Sequence, residues 1–198
     1  NNDDVHNNHL SILNADPGAP KSKLLSSNLR RSVSTIAGGF AERLTRRRDD
    51  KILVIPCLQE ISRNPDTLSI TPPHSTIQAS WIERRQTSVS YQAIFTTQTD
   101  MSLHVGNKPL NTNGLKRMLE FCRFVHGVDE DYVIVGGHSI WFRSFFRTFL
   151  PYTVSHVSKN KKIVNGGIVV FELVKVDTPM GSKYMVDDKT IRVVYGGF

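Results

Sequence analysis

Three short runs hold residue types from which a charged site can be built. Ser26-Ser27-Asn28-Leu29-Arg30-Arg31 leads from a strand-like segment into a helical pattern. Pro56-Cys57-Leu58-Gln59-Glu60 follows the apolar run Ile52 to Ile55. Gly136-Gly137-His138-Ser139 follows Tyr132-Val133-Ile134-Val135 and opens a second helical pattern. A helix start offers backbone N–H groups that no intrahelical carbonyl accepts, and these favour anions, phosphate above all. Arginine adds a planar fork of donors matched to phosphoryl oxygens. A carboxyl beside such a site donates a proton to a leaving group when its pKa is raised. Taken singly, each residue has a bland explanation. A histidine after a glycine turn is more often structural than catalytic, and a loop glutamate is usually solvated. An arginine in a first helical turn is usually a surface residue. What gives them weight together is placement: each run lies at the carboxyl end of a strand.

The elements that would hold these runs are legible from periodicity. Residues 1–20 are polar, with Asn, Asp, His, Pro and Gly, and read as a loop or disordered start. Lys23 to Ser26 is a short strand candidate. Leu29, Val33, Ile36, Ala37, Phe40 and Leu44 then recur at helical spacing. Ile52 to Ile55 is an unbroken β-branched run ended by Pro56, the pattern of a strand buried on both faces. Asn64-Pro65 and Pro72-Pro73 interrupt the polar stretch that follows, and residues 75–87 could hold a helix carrying Ile77, Trp81 and Ile82. Asn113 to His126 is a clear amphipathic helix stopped by Gly127. Tyr132 to Val135 is a second buried strand. The helix after Ser139 places Phe142, Phe145, Phe146 and Phe149 on its apolar side and ends at Pro151. Residues 163–176 and 184–195 read as strands. Repeated strand-then-helix units predict an α/β fold, three-layered α/β/α, with a largely parallel central sheet in a single domain over 1–198. In open sheets of that kind ligands bind outside the carboxyl ends of the strands.

Composition narrows the partners. The 198 residues are 39% hydrophobic and 22% charged, an ordinary globular balance. Lys and Arg number 25 against 18 Asp and Glu, a formal charge of +7, spread along the chain. The densest run, Arg46-Arg47-Arg48, is followed by Asp49-Asp50 and has no interleaved aromatics or recognition motif. It is read as a solvated helix end whose cations complement the helix dipole, and no nucleic-acid partner is expected. A mild positive balance suits an anionic small substrate. No apolar run approaches the about 20 residues of a membrane helix, so no membrane association is expected. Cys57 and Cys122 lie in apolar surroundings without metal-ligand spacing, and no Asn-x-Ser/Thr sequon occurs. No metal or other cofactor is expected, and a reducing, cytoplasmic compartment is favoured.

The same three runs resemble successive motifs of the histidine phosphatase superfamily, which includes the phosphoglycerate mutases. Leu29-Arg30-Arg31, with Thr35 four residues later, resembles the family's second-arginine motif and assigns that role to Arg31 rather than Arg30. Leu58-Gln59-Glu60, 29 residues on from Arg31, resembles the segment bearing the proton-donating acid. Val133 to Ser139 resembles the second-histidine motif, and Val164 to Val169 a following structural strand. The resemblance covers roughly residues 22–176. It implies hydrolysis or transfer of a phosphomonoester, on a small molecule or a phosphoprotein, through a phosphohistidine. Arg31 and His138 would bind the phosphoryl group, Ser139 would add a backbone N–H, and Glu60 would protonate the departing oxygen.

The sequence departs from that pattern at one point. The family's nucleophile lies in an Arg-His-Gly motif at the end of the first strand, and no histidine here has those neighbours. His6 and His9 precede Arg31 but follow no apolar strand. Because residue 1 is Asn and not Met, the expectation is that the nucleophile and the first strand lie upstream, leaving the sheet here incomplete. The rival is a catalytically inactive phosphatase-like interaction module. An α/β-hydrolase is disfavoured, because Trp141 stands where the nucleophile elbow needs its second glycine. Nor does any acid lie between Ser139 and the last histidine, His156. Substrate choice is expected to rest on the region from about Asn64 to Gly114.

Overall fold

The computed structural model describes residues 2–62, 66, 69–109 and 113–198, so Asn64-Pro65 lies outside the described residues. The fold is α/β. Four parallel strands, β1 (Ser22–Ser27), β2 (Ile52–Ile55), β3 (Thr99–Asp100) and β4 (Tyr132–Gly136), form one sheet in the order β3-β2-β1-β4. Register pairs Leu24 with Ile52 and Ser27 with Ile55 on one side of β1, and Leu24 with Ile134 and Ser26 with Gly136 on the other. The order reverses at β1, so the carboxyl ends of β1 and β4 flank a topological switch point. The chain divides into two compact units, residues 1–112 with 129–137, and residues 113–128 with 138–198.

The first unit contains the sheet. Its central strand β1 is wholly buried from Leu24 to Ser27, which explains why so short a segment is the hub. Two serines in a buried strand need partners. Ser26 Oγ lies 3.0 Å from Ser32 Oγ, and Ser27 Oγ accepts from the Leu29 N–H at 3.2 Å. The helical pattern from Leu29 to Leu44 folds as two helices, α1 (Arg30–Gly39) and α2 (Ala41–Arg46). The break follows Gly38-Gly39, residues of poor helix propensity. The phenol of Tyr91 lies where a side chain at Gly38 would project. Val33, Ile36 and Ala37 bury one face of α1 with Leu24, Ile52, Val54 and Phe95.

Elsewhere in this unit the structure departs from the sequence expectation. Residues 1–20, read as a loop or disordered start, contain a helix over Asn2–Asn14. The helix expected over 75–87 shrinks to Trp81–Arg84. Ser80 and Glu83 form a capping box that starts it, whereas Ile77, 1% exposed, is buried ahead of the helix. Trp81 and Ile82 are exposed, with Arg85 stacked on the Trp81 ring. A further helix, Tyr91–Thr97, leads into β3.

The second unit is built on aromatics. Its helices, Gly114–Val125 and Ser139–Phe149, are joined by Phe121, which meets Trp141 and Phe145 edge-on with ring centroids 5.2 and 5.7 Å away. Trp141 stacks on Phe145 at 5.1 Å, and Phe146 meets Phe171 and Phe198. Asn113 caps the first of these helices, accepting from Leu115 N–H at 2.9 Å. The two carboxyl-terminal strands, Ile168–Thr178 and Gly181–Tyr195, pair antiparallel with each other as a separate two-stranded sheet. The first begins later than expected and the second earlier, and they pair with each other because a two-residue turn at Pro179-Met180 joins neighbouring segments directly. Val164 to Gly167 is a turn leading into the first of them.

Candidate functional site at the carboxyl ends of the strands

Because β1, β2 and β4 are parallel, the runs that follow them leave the sheet at the same edge. After β1, Ser27 and Asn28 are fully buried and Leu29 caps α1 with extended backbone (φ −87°, ψ 131°). The two arginines that follow then part company. Arg30 pairs with Glu83, donates to the Gln78 carbonyl and lies over the Phe95 ring, 5.7 Å from its centroid. Glu83 also accepts from Ser34 and Ser80. Burial disfavours its charged form, but these hydrogen bonds and the Arg30 charge outweigh burial and hold its pKa below the ordinary value. Arg30 is therefore committed to the fold. Arg31, one residue on, is exposed and makes no ion pair among the described residues.

After β2, Pro56–Leu58 makes one 3-10 turn that delivers Gln59 and Glu60. Glu60 is 9% exposed, and its Oε1 accepts from the Ile61 N–H at 2.8 Å. Gln59 is wholly buried and joins several segments. Its Oε1 accepts from Asn28 Nδ2 at 3.1 Å and from the Lys108 N–H at 2.9 Å. Its Nε2 donates to Asp66 Oδ2 at 3.1 Å and to Asn107 Oδ1 at 2.6 Å. The ends of β1 and β2 are thus tied by one buried amide pair. Asn28 Nδ2 also donates to the Gly106 carbonyl at 2.9 Å, while its Oδ1 has no partner among the described residues.

Arg31 enters this network through charge. Burial raises the pKa of Asp66, but hydrogen bonds from Gln59 and Lys108, with the charges of Lys108 and Arg31, outweigh it and hold the pKa below 3.8. The sequence reading did not single out Asn28, Gln59, Asp66 or Lys108 as site residues. Gln59 and Asn28 stand beside the motifs that drew attention, but Lys108 lies 48 residues beyond Glu60. No local pattern links the two.

The loop carrying Lys108 is held by His104, fully buried. Its Nε2 lies 2.8 Å from the Thr71 carbonyl, which can only accept, and its Nδ1 takes the Gly106 N–H at 3.3 Å. The ring is therefore neutral with its proton on Nε2. Burial, reinforced by the nearby His74, holds its pKa below 6.5 against the opposing pull of the Thr71 carbonyl.

β4 ends at Gly136, where α1 packs so closely that a side chain would strike Ile36. Two residues on, in the second unit, His138 is 6% exposed with extended backbone (φ −126°, ψ 144°) and is the N-cap residue of the Ser139–Phe149 helix. Ser139 occupies that helix's first position. Arg31 and Glu60 therefore belong to one unit, while His138 and Ser139 begin the next segment of the other.

Among the described residues no cluster of three His, Cys, Asp or Glu could hold a metal ion, and no helix is long and apolar enough to cross a membrane. No known family model matches the chain, and neither the curated proteins nor the solved structures yield a match.

Proposed function

We propose that the chain carries the phosphoryl-binding and proton-donating part of an enzyme that cleaves or transfers phosphomonoesters through a phosphohistidine. The observation that carries this is the contrast between the two adjacent arginines. Arg30 is consumed by Glu83, whereas Arg31 stands exposed beside the switch-point strand, within the field of Asp66 but with no ion pair among the described residues. A free guanidinium at the carboxyl edge of a parallel sheet is suited to an arriving dianion.

The roles follow from the chemistry each group can perform. A histidine Nε2 attacks phosphorus as the P–O bond to the leaving group breaks, and the Glu60 carboxyl gives its proton to that oxygen. Water then adds to phosphorus, the P–N bond breaks, and the carboxylate of Glu60 takes the proton from the water. Arg31 draws off charge from the equatorial oxygens, the role in which the sequence resemblance also names His138 and Ser139. None of the seven histidines stands in an Arg-His-Gly sequence, so the attacking histidine is assigned to residues outside this sequence. The substrate is a phosphorylated small molecule or phosphoprotein.

The test is turnover of an aryl phosphate by the protein expressed from its complete coding sequence, beside Arg31→Ala and His138→Ala. The expected loss is about 100-fold or more for each, with an acid-labile phosphoprotein trapped during turnover. Equal rates in all three proteins, or no turnover in the parent, would point to a non-catalytic interaction module instead.

A further inference from the structure

Lys108 has its ammonium drawn into the strand-end network. Its side chain is 6% exposed. An ammonium has three donors, and here each has an acceptor: the Glu60 carbonyl at 2.7 Å, Ser62 Oγ at 2.9 Å and Asp66 Oδ2 at 3.1 Å. With all three engaged and the side chain covered, Lys108 is not placed to receive a substrate oxygen. What it does hold is the backbone of the residue assigned as proton donor. Its own N–H meanwhile donates to Gln59, the neighbour of that residue. Two adjacent residues of the acid-bearing turn are thus gripped from one lysine, one through the side chain and one through the main chain.

The grip is electrically balanced. Asp66 supplies the only carboxylate paired with Lys108 among the described residues, and it accepts from Gln59 as well. Asp66 also lies within the field of Arg31. The pair therefore fixes the acid-bearing turn while presenting no net charge of its own to the dianion that Arg31 would bind.

We infer that Lys108, with Asp66, is the positioning device for Glu60: it sets where the proton donor sits relative to the leaving oxygen, without touching substrate. This rests on the proposed phosphoryl chemistry. It has a signature that loss of stability alone lacks. A misplaced general acid harms substrates whose leaving group needs a proton and spares those whose leaving group departs as an anion.

The experiment compares phenyl phosphate with 2,4-dinitrophenyl phosphate in the protein from the complete coding sequence, for Glu60→Gln, Lys108→Met and the milder Asp66→Asn. The expected result is that Lys108→Met lowers kcat for phenyl phosphate on the order of 10-fold or more while leaving the dinitrophenyl ester within about 3-fold, the pattern of Glu60→Gln in weaker form. Asp66→Asn, which keeps the side-chain shape, shows the same selectivity should Lys108→Met fail to fold. Equal losses on both esters in the Lys108 and Asp66 variants, with Glu60→Gln selective, would overturn the positioning role and leave the phosphoryl reading standing. A Glu60→Gln protein that treats both esters alike would overturn that reading and the inference with it.

Discussion

Gly136 offers the sharpest test of how the strand ends are built. A methyl placed there would fall 2.7 Å from Ile36 Cδ1 and closer still to Cγ1, with Ser32 Oγ at 3.4 Å. Carbon atoms in good contact are about 3.5–4.0 Å apart, so roughly 1 Å of space would have to open. Neither side yields easily. Ile36 is 4% exposed within the core, and Gly136 is paired in register with Ser26 of the central strand. Overpacking of this kind costs about 1–3 kcal/mol, and the locked surroundings place Gly136→Ala in the upper half of that range. For a chain of this length that lowers the melting temperature by about 4–12 °C. Ile36→Ala alone removes a buried side chain and costs about 2–5 kcal/mol. It also removes both atoms that the new methyl strikes. The double variant should therefore be more stable than the sum of the two losses by about 1–2 kcal/mol, measured by urea unfolding. Additivity within about 0.5 kcal/mol would refute the steric account of this glycine.

Two further substitutions probe the charged interior. His104 is neutral in the fold with its pKa held below 6.5 by burial, so the unfolded chain takes up a proton first as the pH falls. Stability should decline as the pH drops below about 6.5, by up to about 1.4 kcal/mol per pH unit until the folded ring itself titrates, and His104→Gln should flatten that slope. Unfolding free energies of both proteins between about pH 5 and 8, the range over which histidine titrates, check it. Arg43 is 2% exposed and holds Asp50 at 2.6 Å, Ser22 Oγ at 2.9 Å and the Ser22 carbonyl at 2.9 Å. Arg43→Met should cost about 3–5 kcal/mol by leaving Asp50 without its partner, and adding Asp50→Asn should recover part of it in the same denaturation assay.

Particular elements show how far sequence alone reaches. Ile52 to Ile55 and Tyr132 to Gly136 were legible because parallel strands are written as continuous apolar runs. The helix Gly114–Val125 was legible from its apolar stripe and its glycine stop. The short helix Trp81–Arg84 starts at the Ser80-x-x-Glu83 capping box, and the apolar spacing of Ile77, Trp81 and Ile82 overstates its length. The two carboxyl-terminal strands were legible along the chain, but their pairing was not. β-Pattern specifies which residues extend, not which neighbour they pair with.

By itself the sequence determined the strand–helix alternation, and with it the edge of the sheet from which Arg31, Glu60 and the segment leading to His138 emerge. Tertiary structure decided which arginine is spent on Glu83 and which makes no ion pair among the described residues, since adjacent residues of one helix point to different surroundings. It also decided that Lys108 and Asp66 would grip the Glu60 turn. Hydrogen bonds between residues 42 and 48 positions apart leave no periodic trace in the chain, because only folding brings such donors and acceptors within reach.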